Sequence, residues 1–274
     1  MKPLFLDSQA GQIFVLHYSS DKPNSTGIIF IPPFGEELNR SRHMISRQAQ
    51  QLCDQGFDVL VVDLFGTGDS AGTYTDATWD IWKENIRTAI SYLKDQGTTD
   101  IIFWAMRSGA LLATDLLQDD TNCASGLLLW APVTNGKNFI GQFLRVKLAG
   151  ELTGKNDNSP GLTTKDLMNE LKQGKTLEIA GYDLTASMSN SLSALSLGKM
   201  ALPADLKVHW LDVTLTPTTE PGPAVQKITS SWQETNNNIQ AHSVQDIAFW
   251  TLQEPEWAEN ILAKTNEIMV EAFS

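Results

Sequence analysis

A chain of 274 residues with 42% apolar and 19% charged side chains has the make-up of a folded globular protein, not of a disordered segment. Its 20 basic and 32 acidic residues leave a formal charge of −12 with the basic side chains scattered, which weighs against binding nucleic acid or an anionic membrane surface. Two cysteines without ligand or disulfide spacing, Cys53 and Cys123, and four histidines never at the i, i+4 spacing of a zinc helix leave no metal site to expect.

Met1 to Gly11 break their apolar stretch too early for a secretory leader, and no apolar span of membrane length follows. A cytoplasmic protein without membrane insertion is therefore expected. Leu4–Asp7 and Ile13–Tyr18 predict an antiparallel hairpin, and a buried strand runs from Gly27 to Ile31. The spacing then predicts a helix over about 39–55 with Met44, Ile45, Ala49, Leu52 and Cys53 on one face, a strand over Phe57–Asp63, and a helix over Trp79–Lys94. A strand at 100–105, a helix at 108–118 and a strand at Gly126–Trp130 continue the alternation. Between 134 and 204 the sequence becomes helical, rich in Leu, Met, Ser and Asn and broken by glycines, which reads as an inserted cap. Residues 1–133 and 205–274 are then the core, closing with a strand at Leu206–Asp212, a Pro/Thr-rich loop, a short helix, a strand near Ile239–Val244 and a helix from Pro255 to Met269. Strands alternating with helices mean an α/β protein with a mostly parallel sheet covered on both faces.

Ala105-Met106-Arg107-Ser108-Gly109 occupies the abrupt strand-to-helix turn where this kind of sheet presents a serine nucleophile. Ala105 and Gly109 are the small residues that let strand and helix approach, so the residue at the tip is Arg107. A guanidinium stays protonated and cannot attack an acyl carbon. Taking Ser108 as the nucleophile puts bulky Met106 in a small-residue place and is the weaker reading.

Hairpin, βα units, cap and further βα units is the order of the α/β-hydrolase fold. The phrases Ile31-Pro-Pro-Phe-Gly-Glu-Glu-Leu-Asn-Arg-Ser-Arg, Asp63-Leu-Phe-Gly-Thr-Gly-Asp-Ser-Ala-Gly, Met106-Arg-Ser-Gly-Ala-Leu-Leu-Ala, Gln142-Phe-Leu-Arg and Ile179-Ala-Gly-Tyr-Asp-Leu carry a closer likeness. Over most of its length the chain resembles the second of the exosortase-A-associated hydrolases. That resemblance implies a bacterial protein tied to exopolysaccharide production and exosortase sorting, named hydrolase by its fold. Against the wider superfamily, Ala248 stands where the catalytic histidine usually precedes an aromatic residue, His242 lies earlier on the last strand, and Asp212 is the nearest carboxylate for a triad acid. Members of a triad act as a unit, so losing nucleophile and base removes the Ser-His-Asp mechanism.

In this fold the oxyanion hole is built from backbone amides, which here correspond to Ser108 and Phe34. With the amino end of the 108–118 helix behind it and Arg107 beside it, that pocket should attract a carboxylate, phosphate or sulfate. The competing expectation pairs Arg107 internally with Glu36, Glu37, Asp69 or Asp246. Glu36 and Glu37 are candidates for general acid or base, or else first-turn charges of a helix capped by Asn39 or Ser41. Gly66-Thr-Gly-Asp-Ser-Ala71 matches the dinucleotide fingerprint, yet no helix begins inside it, so it reads as a turn and no cofactor is expected. Trp104, Trp130, Trp210 and Trp250 read as core residues at strand ends.

Two functions remain open. One is a hydrolase of an acyl or ester small molecule in which Arg107 and the amides stabilise an anion while Glu36 activates water. The other is a catalytically silent relative that binds an anionic metabolite or a partner protein.

Overall fold

The computed structural model describes residues 1–21, 23–152 and 162–273. Strands β1 (Lys2–Ser8) and β2 (Gly11–Tyr18) form the expected hairpin, with Leu4 opposite Val15 and Leu6 opposite Ile13. Every residue of β3 (Thr26–Ile31) is buried, as a continuous apolar run requires of a central parallel strand. Helix α1 (Glu36–Asp54) buries Met44, Ile45, Ala49, Leu52 and Cys53. It begins three residues before the expected Asn39 because Gly35, at φ 66°, makes the turn out of β3, and no side chain caps it. Ser41 is not a cap: its hydroxyl donates to the Glu37 carbonyl one turn back.

The alternation continues with β4 (Asp58–Val62), α2 (Trp79–Asp95), β5 (Asp100–Met106), α3 (Gly109–Asp119) and β6 (Gly126–Trp130). After β6 the chain runs through α4 (Gly136–Leu152), α5 (Thr164–Lys172), β7 (Leu177–Ile179), β8 (Tyr182–Leu184) and α6 (Ala186–Ala194). It rejoins the sheet as β9 (Lys207–Thr214), followed by α7 (Pro223–Gln233), β10 (Ile239–Gln245) and α8 (Glu259–Phe273). The expectation of helix alone between 134 and 204 is corrected by the β7–β8 hairpin, whose turn residues Ala180 and Gly181 both have positive φ, 51° and 86°. That is the backbone twist a tight hairpin turn needs. The part of that expectation over 153–161 lies outside the described residues.

The sheet order is β1-β2-β4-β3-β5-β6-β9-β10, antiparallel at β1–β2 and β2–β4 and parallel elsewhere. Alternating strand residues feed two cores. Ile29, Phe103 and Leu129 pack towards α2 and α3, while Phe30, Trp104 and Trp130 pack towards α1 and α8. This is the mostly parallel sheet with helices on both faces that the α/β-hydrolase order implies, and it sets the β3–α1, β5–α3 and β6–α4 connections at its carboxyl edge.

Candidate functional site

The tip of the β5–α3 turn is Arg107, held at φ 53°. A side chain in that region is strained by roughly 1–3 kcal/mol, and the surroundings hold it there. The Arg107 amide donates to the Trp130 carbonyl at 3.0 Å, and the Arg107 carbonyl accepts from the Val133 amide at 3.0 Å. Gly109 makes the close approach possible, since a Cβ there would lie 2.3 Å from the Ile31 carbonyl oxygen.

The guanidinium is clasped from three sides. Its Nε and Nη2 both donate to Glu37 Oε1 at 3.1 Å, its Nη1 donates to the Ala131 carbonyl at 2.9 Å, and its central carbon lies 5.0 Å from the centroid of the Trp250 ring. Of the four acidic residues weighed as partners, the structure brings Glu37 to Arg107. Glu36 accepts from the Tyr182 hydroxyl at 2.7 Å and from Asn39 at 3.4 Å, and pairs with Arg40 at 3.6 Å. Asp69 is exposed in the loop after β4. Asp246, expected near Arg107 or a bound anion, instead accepts the amides of Asn260 and Ile261 at 2.9 and 3.1 Å, which fixes the start of α8 at Glu259, not at Pro255.

These environments push the two neighbouring glutamates apart. Burial raises Glu37 above the ordinary carboxylate range against the opposing pull of Arg107, and its Oε2 is buried without a partner. The Tyr182 hydroxyl holds Glu36 below that range, while burial and Glu36 together raise Tyr182. A carboxylate stabilised in its charged form is a poor proton acceptor, which counts against Glu36 as the base that activates water.

Of the two amides expected to form an oxyanion hole, that of Phe34 donates to Ser108 Oγ at 2.7 Å, so this donor is taken by the chain's own hydroxyl. Ser108 is 3% exposed and reaches no imidazole. His17 meets Tyr92, His43 meets the Glu256 carbonyl, and His209 and His242 meet each other. Ala248 precedes the short 3-10 turn Phe249–Thr251, and Asp212 Oδ2 accepts the Gly222 amide at 2.8 Å.

Two cavities flank the Arg107–Glu37 pair. One, of about 290 Å³, is lined by Phe34, Glu37, Phe143, Val146 and Trp250 among others. The other, of about 280 Å³, is polar and lined by Arg107, Thr134, Asn135 and Asn138. Phe139 and Gln142 line both. Trp104, Trp130 and Trp210 fill the core, whereas Trp250 lines the first cavity. The sequence reading missed Phe139, Gln142, Phe143 and Val146 as site residues. Their i, i+3, i+4, i+7 spacing on α4 was the signal that one helix face turns to the site.

Elsewhere, Gly66 donates to the Ala71 carbonyl and closes a turn well before α2 begins, so the dinucleotide-like phrase has no helix end for a pyrophosphate. Both cysteines are buried, which raises Cys53 and pushes Cys123 up to about 12. Among the described residues no group of three His, Cys, Asp or Glu side chains is arranged to hold a metal ion.

A family model described as serine aminopeptidase, S33, matches residues 24–173. Est1E from Butyrivibrio proteoclasticus, solved with ferulic acid bound, superposes with a TM-score of 0.67 at 16% identity over 98% of each chain. The Pyrococcus furiosus esterase Pf2001 gives 0.61 at 15% identity, over 100% of this chain and 91% of that one. XC6422 from Xanthomonas campestris, described as an a/b serine hydrolase without lid, gives 0.56 at 13%, over 98% and 91%. At such identities the likeness establishes the α/β-hydrolase fold. No curated protein matches the sequence.

Proposed function

Since the matched segment is more than half of its length, this chain belongs to the serine aminopeptidase S33 family of α/β hydrolases, and from that premise we propose that it binds a small acyl molecule without hydrolysing it. The observation that carries this reading is the commitment of Arg107, at the elbow tip, to Glu37, Ala131 and Trp250. Triad chemistry needs a nucleophile, a base and free oxyanion donors. Here those places hold a paired guanidinium, Ala248 and an amide capped by Ser108. Loss of one triad member alone costs on the order of 10⁴–10⁶ in kcat.

In this reading the described residues between 134 and 204 form a cap over the carboxyl edge of the sheet, and the ligand lies against the aromatic residues of α4. The ferulic acid held by Est1E supports an acyl ligand of that general kind. The Pro-Pro-Phe-Gly-Glu-Glu-Leu-Asn phrase and the elbow arginine support the exosortase-associated subtype, and with it a bacterial role tied to exopolysaccharide production. Among the described residues no helix is long and apolar enough to cross a membrane.

The test is turnover of p-nitrophenyl acetate and butyrate by the purified full chain. No release above buffer is expected. Saturable turnover lost in both Arg107→Ala and Glu36→Gln would instead establish the hydrolytic alternative, in which Arg107 stabilises an anion and Glu36 activates water.

A further inference from the structure

Resting on that binding role, we propose that the ligand is a monocarboxylic acid with an apolar tail, its carboxylate seated on the free edge of Arg107 and its tail laid across Phe139 onto Phe143, Val146 and Trp250.

The head-group assignment follows from donor counting. A guanidinium carries five N–H donors and no acceptor. Nε–H, one Nη2–H and one Nη1–H of Arg107 are taken by Glu37 and Ala131, which leaves two. Arg107 lines the polar cavity of about 280 Å³, and no carboxylate among the described residues lines it. Asn138 and Gln142 stand on the same cavity with side-chain amides that make no hydrogen bond among the described residues. The cavity therefore offers one cation with two unused N–H donors, and amides that can turn either an NH2 or a carbonyl to a ligand, a setting that accommodates a carboxylate. Glu37 on one edge and the Trp250 face beside it fix the guanidinium plane before a ligand arrives, so little ordering remains to oppose binding.

The tail assignment follows from the neighbouring cavity. Its charged members are paired, Glu36 with Arg40 and Glu37 Oε1 with Arg107, and the aromatic residues with Val146 give a tail its apolar surface, while Glu37 Oε2, buried without a partner, keeps a second carboxylate out of this cavity. Val146, an apolar side chain lining this cavity, is half exposed among the described residues. Phe139 and Gln142 border both cavities, so a single extended molecule reaches from one to the other. A free acid is favoured over its ester because the ester head has no charge to place against Arg107.

The experiment is calorimetric titration of the full chain with octanoate, 1-octanol and methyl octanoate, with inorganic phosphate as a tail-less anion. Octanoate should bind about tenfold tighter than octanol, the difference a charge-assisted hydrogen bond makes, and phosphate more weakly than octanoate. The double variant Arg107→Gln/Glu37→Gln removes both members of the pair and so leaves no unpaired buried charge; it should lose the octanoate preference and keep octanol binding. Equal affinity for acid and alcohol, no binding of any eight-carbon probe, or a preference that survives in the double variant would overturn the assignment. Conversion of methyl octanoate to octanoate would instead overturn the non-hydrolytic reading, leaving the head-group preference to be judged by the same titrations.

Discussion

Arg107 brings a permanent charge to a strained backbone position, and Glu37 neutralises it from the first turn of α1. Removing one partner of such a pair leaves the other charge poorly solvated. Glu37→Gln should lower unfolding stability by about 1–3 kcal/mol in urea denaturation, below the figure for a fully buried pair because both side chains are about a fifth exposed. A second prediction concerns the chemistry: Arg107→Ser should create no esterase, because the four histidines are engaged elsewhere, with Tyr92, the Glu256 carbonyl and one another, and turnover in that variant would show a base within reach. The elbow arginine was legible in the sequence because strand, turn and helix are local patterns with fixed small residues. Its partner was not. Adjacent helix side chains point about 100° apart, so whether Glu36 or Glu37 meets Arg107 depends on where α1 starts, and Gly35 sets that start earlier than the apolar spacing suggests.

At the scale of elements, the β7–β8 hairpin is tied to α1 through Tyr182, which donates to Glu36 and accepts from Asn39 at 2.7 Å each while its ring meets Tyr74. Tyr182→Phe should therefore let the Glu36 carboxyl rise towards its ordinary range, seen by NMR titration, and speed amide exchange across residues 177–184. An unchanged Glu36 titration would contradict this coupling. Strands of three residues are too short for a period of two to register, which is why the sequence showed only helix here. The long apolar strands β3 to β6 and the amphipathic helices α1 and α2 were legible because each spans several repeats of its period.

Across the whole molecule, stability depends on histidines that the fold keeps neutral. His209 and His242 lie on neighbouring parallel strands with ring nitrogens 3.2 Å apart, and burial lowers both, His209 to about 4. Lys207 and Lys264 add to the lowering at His209, Lys264 adds to it at His242, and Glu267 opposes it there. The unfolded chain binds protons at these sites below about 6.5, where the fold does not. The stability they confer is thus complete above that pH and lost as pH falls towards 4, and His209→Gln should flatten the pH dependence of urea midpoints over that window. No sequence pattern could reveal the pair, since residues 33 apart meet only through parallel pairing of β9 with β10.

The central claim, that a paired arginine has replaced the reactive group of this fold, is tested most directly with a fluorophosphonate probe that labels activated serines. Intact-mass analysis of the treated chain should show no added mass. A stoichiometric adduct mapped to Ser108 would contradict the account.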